Sequence, residues 1–316
     1  MSQHPLVPTP GNNLTNGNNK LVEAGTKLLQ QSEGTYSAKI RRDQPTALIF
    51  LIDQSGSMSS GSLDIKGVTL SKAQAAARII NTALEELLKK STKDSELRNY
   101  IDFAIIGYGT KSQANMAWSG KLSGKTWVTT GELGEHANKI RIDHKVYLPD
   151  GSYEEETVEV KSWFEPVASG LTPMLSAINM ATDLVSQWIA NGHADSYPPV
   201  IINITDGEAT DAKGPQLLEA AEKLKQLRTN DGRVLFLNCH LSETAGASVM
   251  FPSNSTELPK DDYAKLLFEL SSVMPEKYRA EIEQAKKTNA GVNYKGMTFN
   301  ADGSRLVQFI TIGSSY

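Results

Sequence analysis

The sequence predicts an α/β domain whose mostly parallel sheet carries helices on both faces. Short, largely apolar runs, as at residues 47–52 and 200–205, are typical of strands buried on both sides. Segments with apolar residues at helical spacing separate such runs and predict amphipathic helices. Because strands and helices alternate along nearly the whole chain, the sheet is expected to be doubly wound.

Segments of different character divide the chain of 316 residues. Residues 1–35 are rich in Asn and Gly, cannot bury enough apolar surface to become ordered, and are expected to form a flexible leader. Residues 36–316 carry the alternating pattern and are predicted to be one α/β domain. Within it, residues 120–166 contain alternating runs at 139–148 and 157–164, separated by a Pro-Asp-Gly-Ser turn signal, and predict an inserted β-hairpin.

Each remaining element is predicted from its own local pattern. The helix after the first strand ends on Lys89 and Lys90, whose charges favour a helix C-terminus. A later helix begins at Thr172-Pro173, because Thr is a favourable N-cap and Pro suits the first helical position. Residues 303–310 have helical spacing, although a strand is also compatible with them. Further strands are predicted at residues 101–108, 114–118, 233–239 and 297–300, and helices at 70–90, 215–228, 259–273 and 275–287.

Composition argues against several classes of function. The net charge of −4 argues against non-specific nucleic-acid binding, which requires a basic surface. No apolar run approaches the ~18 residues that a membrane span requires, and the first residues lack the charged and apolar regions of a secretory signal. Cys239 is the only cysteine, so an intrachain disulfide is impossible. Together these features predict a cytoplasmic protein without a membrane span or a nucleic-acid partner.

Side chains that offer oxygen stand at the predicted carboxyl ends of two strands. Asp53, Ser55 and Ser57 follow the first strand, and Asp206 follows a later one. In open α/β sheets, ligands bind outside the carboxyl ends of the strands. Hydroxyl and carboxylate oxygens suit Mg²⁺, Mn²⁺ or Ca²⁺ rather than zinc or copper. The sequence therefore predicts a divalent-metal site at this edge, and Thr172 is either a helix cap or a further ligand.

These residues resemble the metal-ion-dependent adhesion site of von Willebrand factor type A (VWA) domains. The resemblance rests on the motif D-Q-S-G-S, on a Thr that opens a helix and on an Asp-Gly pair that ends a strand, in the order and spacing of the family. It implies a six-stranded sheet of order 3-2-1-4-5-6 with one antiparallel edge strand, and a divalent ion, usually Mg²⁺. It also implies a set of metal ligands: the hydroxyls of Ser55 and Ser57, Thr172 and Asp206 directly or through water, and Asp53, which anchors the loop and reaches the metal or its waters.

The charge of this site favours a binding module. Two aspartates only just neutralise a divalent ion, and five candidate ligands leave at least one position to a water or a guest. A carboxylate from outside is expected to fill that position. The predicted function is a metal-dependent protein–protein interaction with a partner that presents Asp or Glu. The resemblance also suggests partner classes, since cytoplasmic members of the family often act with AAA+ ATPases, kinases or phosphatases encoded nearby.

Two alternatives remain open at this point. Asp53 could accept a phosphoryl group in a Mg²⁺-dependent phosphotransfer or hydrolytic enzyme, which needs a second acid nearby and a lysine opposite. Asp206 could be that acid, but Thr172 would then be unexplained. No catalytic constellation is found: the five histidines are scattered, and neither a nucleophile elbow nor a P-loop occurs. The other alternative is a structural scaffold in which a metal only pins loops.

Overall fold

A computed structural model describes residues 34–61, 63–65, 68–148, 150–241, 248–288, 293–301 and 303–314. The chain divides into two compact units, Met1–Thr35 and Tyr36–Tyr316. The leader predicted at residues 1–35 lies almost wholly outside the described residues. The strands and helices given below all belong to the second unit.

The described part of the chain contains fourteen strands and seven α-helices. The strands are β1 (Thr46–Asp53), β2 (Leu63–Ile65), β3 (Val68–Leu70), β4 (Thr92–Lys93), β5 (Glu96–Leu97), β6 (Ile101–Tyr108), β7 (Ala114–Met116), β8 (Val128–Thr129), β9 (Asn138–Tyr147), β10 (Tyr153–Ser162), β11 (Val200–Thr205), β12 (Leu235–Leu241), β13 (Val249–Met250) and β14 (Met297–Ala301). The helices are α1 (Lys72–Lys90), α2 (Thr130–Glu135), α3 (Met174–Trp188), α4 (Gly214–Gln226), α5 (Asp262–Leu270), α6 (Arg279–Lys286) and α7 (Gly303–Gly313). Each helix in these described residues is too short or too polar to cross a lipid bilayer.

A mostly parallel sheet forms the centre of the domain, as the apolar runs predict. Its strands follow the order β13-β14-β12-β11-β1-β6-β7, and β8 also pairs with β6. Within this order, the five strands from β14 to β6 run parallel to one another. β1 lies inside the sheet and all of its residues are buried, which is expected of a strand covered on both faces.

The sheet differs in detail from the six strands that the resemblance implied. It has eight strands, because β8 and β13 are added to it. Not one but three strands, β7, β8 and β13, are antiparallel to the strands with which they pair. The order also differs in detail, since β13 lies outside β14, and β7 and β8 share β6. β8 and β13 contain two residues each, which is too short for an alternating pattern to reveal them.

Helices pack on both faces of the sheet. Leu48 and Phe50 of β1 belong to the core shared with α1 and α7. Ile49 and Leu51 point the other way and belong to the core shared with α3, α4 and α5, because successive side chains of a strand face opposite sides. The segment at residues 303–310, for which both a strand and a helix were compatible, lies in helix α7.

The segment at residues 120–166 contains a hairpin of β9 and β10, which pair antiparallel along their whole lengths. The sequence placed the second strand at residues 157–164, whereas β10 ends before Trp163. Trp163 is fully buried, and its indole N–H donates a hydrogen bond to the carbonyl of Leu133 at 2.7 Å. The exposed strand β10 ends here because the large Trp163 side chain is more stable in a buried position.

Other parts of the same segment belong to the main core. Val128 of β8 and Leu133 of α2 are both fully buried. Thr130, at the start of α2, donates its hydroxyl hydrogen to the Ile101 carbonyl at 3.0 Å. The hairpin is therefore one portion of the segment, and the preceding residues help to close the edge of the sheet.

Candidate metal centre

The carboxyl ends of β1 and β11 bring two of the predicted acids together. The two strands are adjacent and parallel, so Asp53 and Asp206 follow them at the same edge of the sheet. The loop after β1 passes closely over the end of β6, where a Cβ on Gly109 would lie 2.4 Å from the carbonyl carbon of Gln54. Only a glycine at position 109 permits this close approach of the two backbones. The approach fixes the distance between the loop after β1 and the end of β6.

Asp53 is buried beneath this loop and ties it to the end of β11. Its Oδ1 accepts a hydrogen bond from the Ser55 N–H at 2.9 Å, and its Oδ2 accepts one from the Thr205 hydroxyl at 2.9 Å. Burial is the main reason that the pKa of Asp53 rises to about 6. The charge of Asp206 adds to this rise, while the hydrogen bonds from Ser55 and Thr205 reduce it.

Ser55, Ser57 and Asp206 form a continuous chain of oxygen atoms. The Oγ atoms of Ser55 and Ser57 lie 2.9 Å apart, and Ser57 Oγ donates to Asp206 Oδ1 at 2.8 Å. Ser55 is buried, whereas Ser57 is exposed to solvent. The chain therefore joins the loop after β1 to the end of β11, and the structure brings these three predicted residues together.

Lys72 contacts the same acid and was not predicted from the sequence. Its Nζ lies 2.8 Å from Asp206 Oδ2, and the two side chains are only 10% and 0% exposed. Lys72 is the first residue of α1, where the positive end of the helix dipole disfavours a cation. A lysine at this unfavourable helix position is a signal that the sequence contains. The signal does not reveal that the partner of the lysine is Asp206, far along the chain.

Thr172 lies on a neighbouring loop that is held by the segment after Asp206. Its N–H donates to Thr210 Oγ1, and its carbonyl accepts from the Thr210 N–H, both at 2.9 Å. The contacts described for Thr172 are made by its backbone. The structure thus brings its loop into contact with the segment after Asp206 through backbone hydrogen bonds.

The expectation that Thr172 caps the following helix is wrong. Pro173 occupies the cap position of α3 and offers no side-chain hydrogen bond. The carboxylate of Asp211 instead accepts from the N–H groups of Leu175 at 3.1 Å and Ser176 at 2.9 Å. These are free donors of the first turn, so an acid from the loop after β11 replaces the local cap.

A layer of buried polar side chains lies on the interior side of the two acids. The Thr205 hydroxyl lies 3.2 Å from the hydroxyl of Tyr263. Nearby, the Tyr108 hydroxyl donates to Asn203 Oδ1 at 2.8 Å, and Asn203 Nδ2 donates to Asn238 Oδ1 at 3.0 Å. Burial raises the pKa of both tyrosines well above the usual range, so they remain neutral. The sequence signal for this layer was an asparagine within each of two apolar runs.

The donor chemistry of this edge fits a hard divalent cation. In an octahedron with metal–oxygen distances of about 2.1 Å, neighbouring ligand oxygens lie about 3.0 Å apart. The oxygen separations along the Ser55–Ser57–Asp206 chain, 2.9 and 2.8 Å, are close to that spacing. In the described part of the chain, no group of three or more His, Cys, Asp or Glu side chains could hold a metal. Hydroxyls would therefore supply part of the ligand set, as suits Mg²⁺ but not zinc.

Comparisons with known proteins add similarities at low identity. No protein-family model matches the chain, and no curated protein matches it. Among solved structures, the chain is similar to proximal thread matrix protein 1 from the mussel byssus, with 14% identity and a TM-score of 0.36 over 64% of this chain and 39% of that chain. It is similar to the ArnB paralog VWA2 from Sulfolobus acidocaldarius, with 12% identity and a TM-score of 0.35 over 84% of this chain and 43% of that chain.

An uncharacterized membrane spanning protein from Vibrio fischeri is a third similar structure, with 12% identity and a TM-score of 0.25 over 63% of this chain and 71% of that chain. The chain spans less than half the length of the first two proteins.

Proposed function

We propose that this chain is a VWA-type domain whose divalent metal binds an acidic residue of a partner protein. The observation that carries this proposal is the chain of Ser55 Oγ, Ser57 Oγ and Asp206 Oδ1 at the carboxyl edge of a mostly parallel sheet. Its oxygen spacing suits adjacent ligands of one octahedral ion, with Mg²⁺ as the first candidate and Mn²⁺ or Ca²⁺ as alternatives. In the proposed set, Asp53 anchors the ligand loop and Thr172 approaches the ion directly or through water.

A partner carboxylate is the guest that suits such an ion. Of the proposed ligands only Asp53 and Asp206 carry negative charge, and Lys72 offsets one of these charges. A divalent ion held here keeps a positive field that attracts an anion. On the adjoining loop, Leu171 is 55% exposed and offers apolar contact to the residues that flank a guest Asp or Glu.

A Mg²⁺-dependent phosphotransfer or hydrolytic enzyme is the second candidate, and the position of Lys72 favours it. Such an enzyme needs an acid and a lysine near its acceptor, and Asp206 with Lys72 supplies both. Against it, Asp53 is 1% exposed and both of its oxygens accept hydrogen bonds, so neither is open to a phosphoryl group. Metal-dependent hydrolysis of p-nitrophenyl phosphate, lost in Asp53→Asn, would favour the enzyme over the binding module.

Binding to purified candidate partners tests the main proposal. Any AAA+ ATPase, kinase or phosphatase encoded near this protein is a first candidate, on the expectation that the protein works in the cytoplasm. Binding is expected with Mg²⁺ and is expected to disappear with EDTA or in the double variant Ser55→Ala plus Ser57→Ala. Ser59→Ala is the matched control, because the Ser59 hydroxyl is exposed and donates to the nearby Gly56 carbonyl at 2.7 Å.

A bound partner then allows the bridging carboxylate to be identified. Conversion of one Asp or Glu of the partner to its amide should remove most of the affinity, since a neutral amide cannot replace a charged ligand of Mg²⁺. A partner that binds equally well under all of these conditions would show that recognition does not pass through the metal.

A further inference from the structure

Lys72 and Asp206 form a nearly enclosed ion pair beside the candidate ligands. The distance from Nζ to Oδ2 is 2.8 Å, and the lysine and aspartate side chains are 10% and 0% exposed. The other oxygen of the same carboxylate, Oδ1, accepts from the Ser57 hydroxyl at 2.8 Å. Asp206 is thus shared between an ammonium group of the protein itself and the serine chain that would face a metal.

The stability of helix α1 does not explain this position of the lysine. Ser71 caps the helix: its Oγ accepts from the Gln74 N–H at 3.3 Å, and Gln74 Oε1 accepts from the Ser71 N–H at 2.9 Å, so the start of the helix is already capped. A cation at the first helical position is opposed by the helix dipole, and burial of an ammonium carries a desolvation cost. The negative charge of Asp206, 2.8 Å from Nζ, offsets both costs.

We propose that Lys72 is an intramolecular competitor of the divalent cation, which keeps the affinity of this site for metal low. The inference rests on the proposed function. Asp53 and Asp206 supply two negative charges and Lys72 supplies one positive charge, so a bound divalent ion leaves the site with one positive charge in excess. That excess weakens metal binding and is removed when a partner carboxylate arrives. Lys72 thereby makes stable metal binding depend on the partner.

Substitution of the lysine separates this role from a merely structural one. Lys72→Met keeps the length of the side chain and removes its charge, so the affinity for Mn²⁺ or Mg²⁺ should increase by about tenfold or more. Lys72→Arg retains the charge and should bind metal as the wild type does. If Lys72 only oriented Asp206 as a ligand, Lys72→Met would bind metal more weakly, and that result would overturn the inference.

The measurement is a calorimetric titration with MnCl₂ or MgCl₂, together with thermal unfolding of each protein in EDTA and in metal. Without metal, Lys72→Met should unfold at a lower temperature than the wild type, because Asp206 is left buried without its partner. Added metal should raise its unfolding temperature more than it raises that of the wild type. Lys72→Gln, whose amide can still donate to Asp206, provides a second uncharged variant if Lys72→Met does not fold.

The outcomes distinguish this inference from the proposed function. Tighter metal binding by Lys72→Met than by the wild type supports the inference. Equal binding by wild type and Lys72→Met overturns the inference and leaves the metal site intact. An absence of metal binding in the wild type and in both uncharged variants overturns the metal site and the inference together.

Discussion

The hydroxyl of Thr205 lies 2.9 Å from Oδ2 of Asp53 and joins the ends of the two strands that carry the candidate site. Because a hydroxyl has a single hydrogen, donation to Asp53 leaves the Thr205 oxygen to accept from Tyr263, 3.2 Å away. Thr205 therefore links a buried acid to a buried phenol. This link depends on one oxygen atom that no apolar side chain of the same shape can replace.

We expect Thr205→Val to destabilise the protein by about 1–3 kcal/mol, because it leaves the Asp53 oxygen and the Tyr263 hydroxyl buried without their partner. Urea unfolding in EDTA measures the change without interference from metal. Thr82→Val is the matched control, since the Thr82 hydroxyl lies on the exposed side of α1 and bonds the Arg78 carbonyl at 2.8 Å. Its effect should stay within about 0.5 kcal/mol. Equal losses in the two variants would contradict a special role for Thr205.

Mg²⁺ is expected to raise the thermal unfolding temperature of the wild type. A ligand that binds only the folded state, at a free concentration ten times its Kd, stabilises it by about 1.4 kcal/mol, which corresponds to an increase of a few degrees in Tm. The double variant Ser55→Ala plus Ser57→Ala should lose the effect, and Ser59→Ala should keep it. A shift of the same size in the double variant would place the metal elsewhere.

The β9–β10 hairpin should be removable without loss of the fold. Lys139 and Lys161 pair across its base, so a short Gly-Ser turn can join them in place of residues 140–160. Most residues of β10 are exposed, and we expect circular dichroism, Tm and Mg²⁺ binding to change little. A wider excision of residues 124–161 would also remove β8 and α2, whose buried side chains should cost several kcal/mol. Unfolding of the shorter deletion would show that the hairpin is required by the core.

Asp102 is expected to make stability depend on pH at a position far from the candidate metal. Burial is the main cause that raises its pKa, and the hydrogen bond from the Trp188 indole, at 2.9 Å, opposes the rise. The native state therefore binds a proton at Asp102 more tightly than the unfolded chain does. Protonated Asp102 makes its full contribution to the free energy of unfolding below the ordinary pKa of about 3.9, and this contribution is lost as the pH rises through the native pKa.

The variant Asp102→Asn tests this sign, because an amide can still accept from Trp188 and never ionises. It should be more stable than the wild type at pH 7, and the difference should vanish near pH 3, as measured by urea unfolding at both values. Asp43→Asn, at a side chain that is 75% exposed, should show little change at either pH. A difference that grows as the pH falls would contradict the direction of the pKa shift.

The sequence predicted those features that local patterns encode. Asp53, Ser55 and Ser57 stand together directly after an apolar run, so their place at a strand end followed from adjacent residues. Lys72 could not be found in this way, since its contact with Asp206 depends on how α1 sits against β11. The two residues of β8 are too few for a period, and only their burial against β6 makes them a strand. The missed features are thus tertiary relations rather than local ones.

Asp211 gives the loop after β11 a mechanical connection to the rest of the domain. One end of this loop carries Asp206, and Asp211 near its other end holds the first turn of α3 through Leu175 and Ser176. A displacement of the loop would remove the acceptor of these N–H groups unless the helix moved as well. The loss of the cap would lower the free energy of unfolding by about 0.5–2 kcal/mol. α3 is a rod about 22 Å long, and near its far end Trp188 bonds a residue of β6. A movement at the carboxyl edge of the sheet is therefore either opposed by the capping hydrogen bonds of Asp211 or transmitted through α3 to the opposite edge.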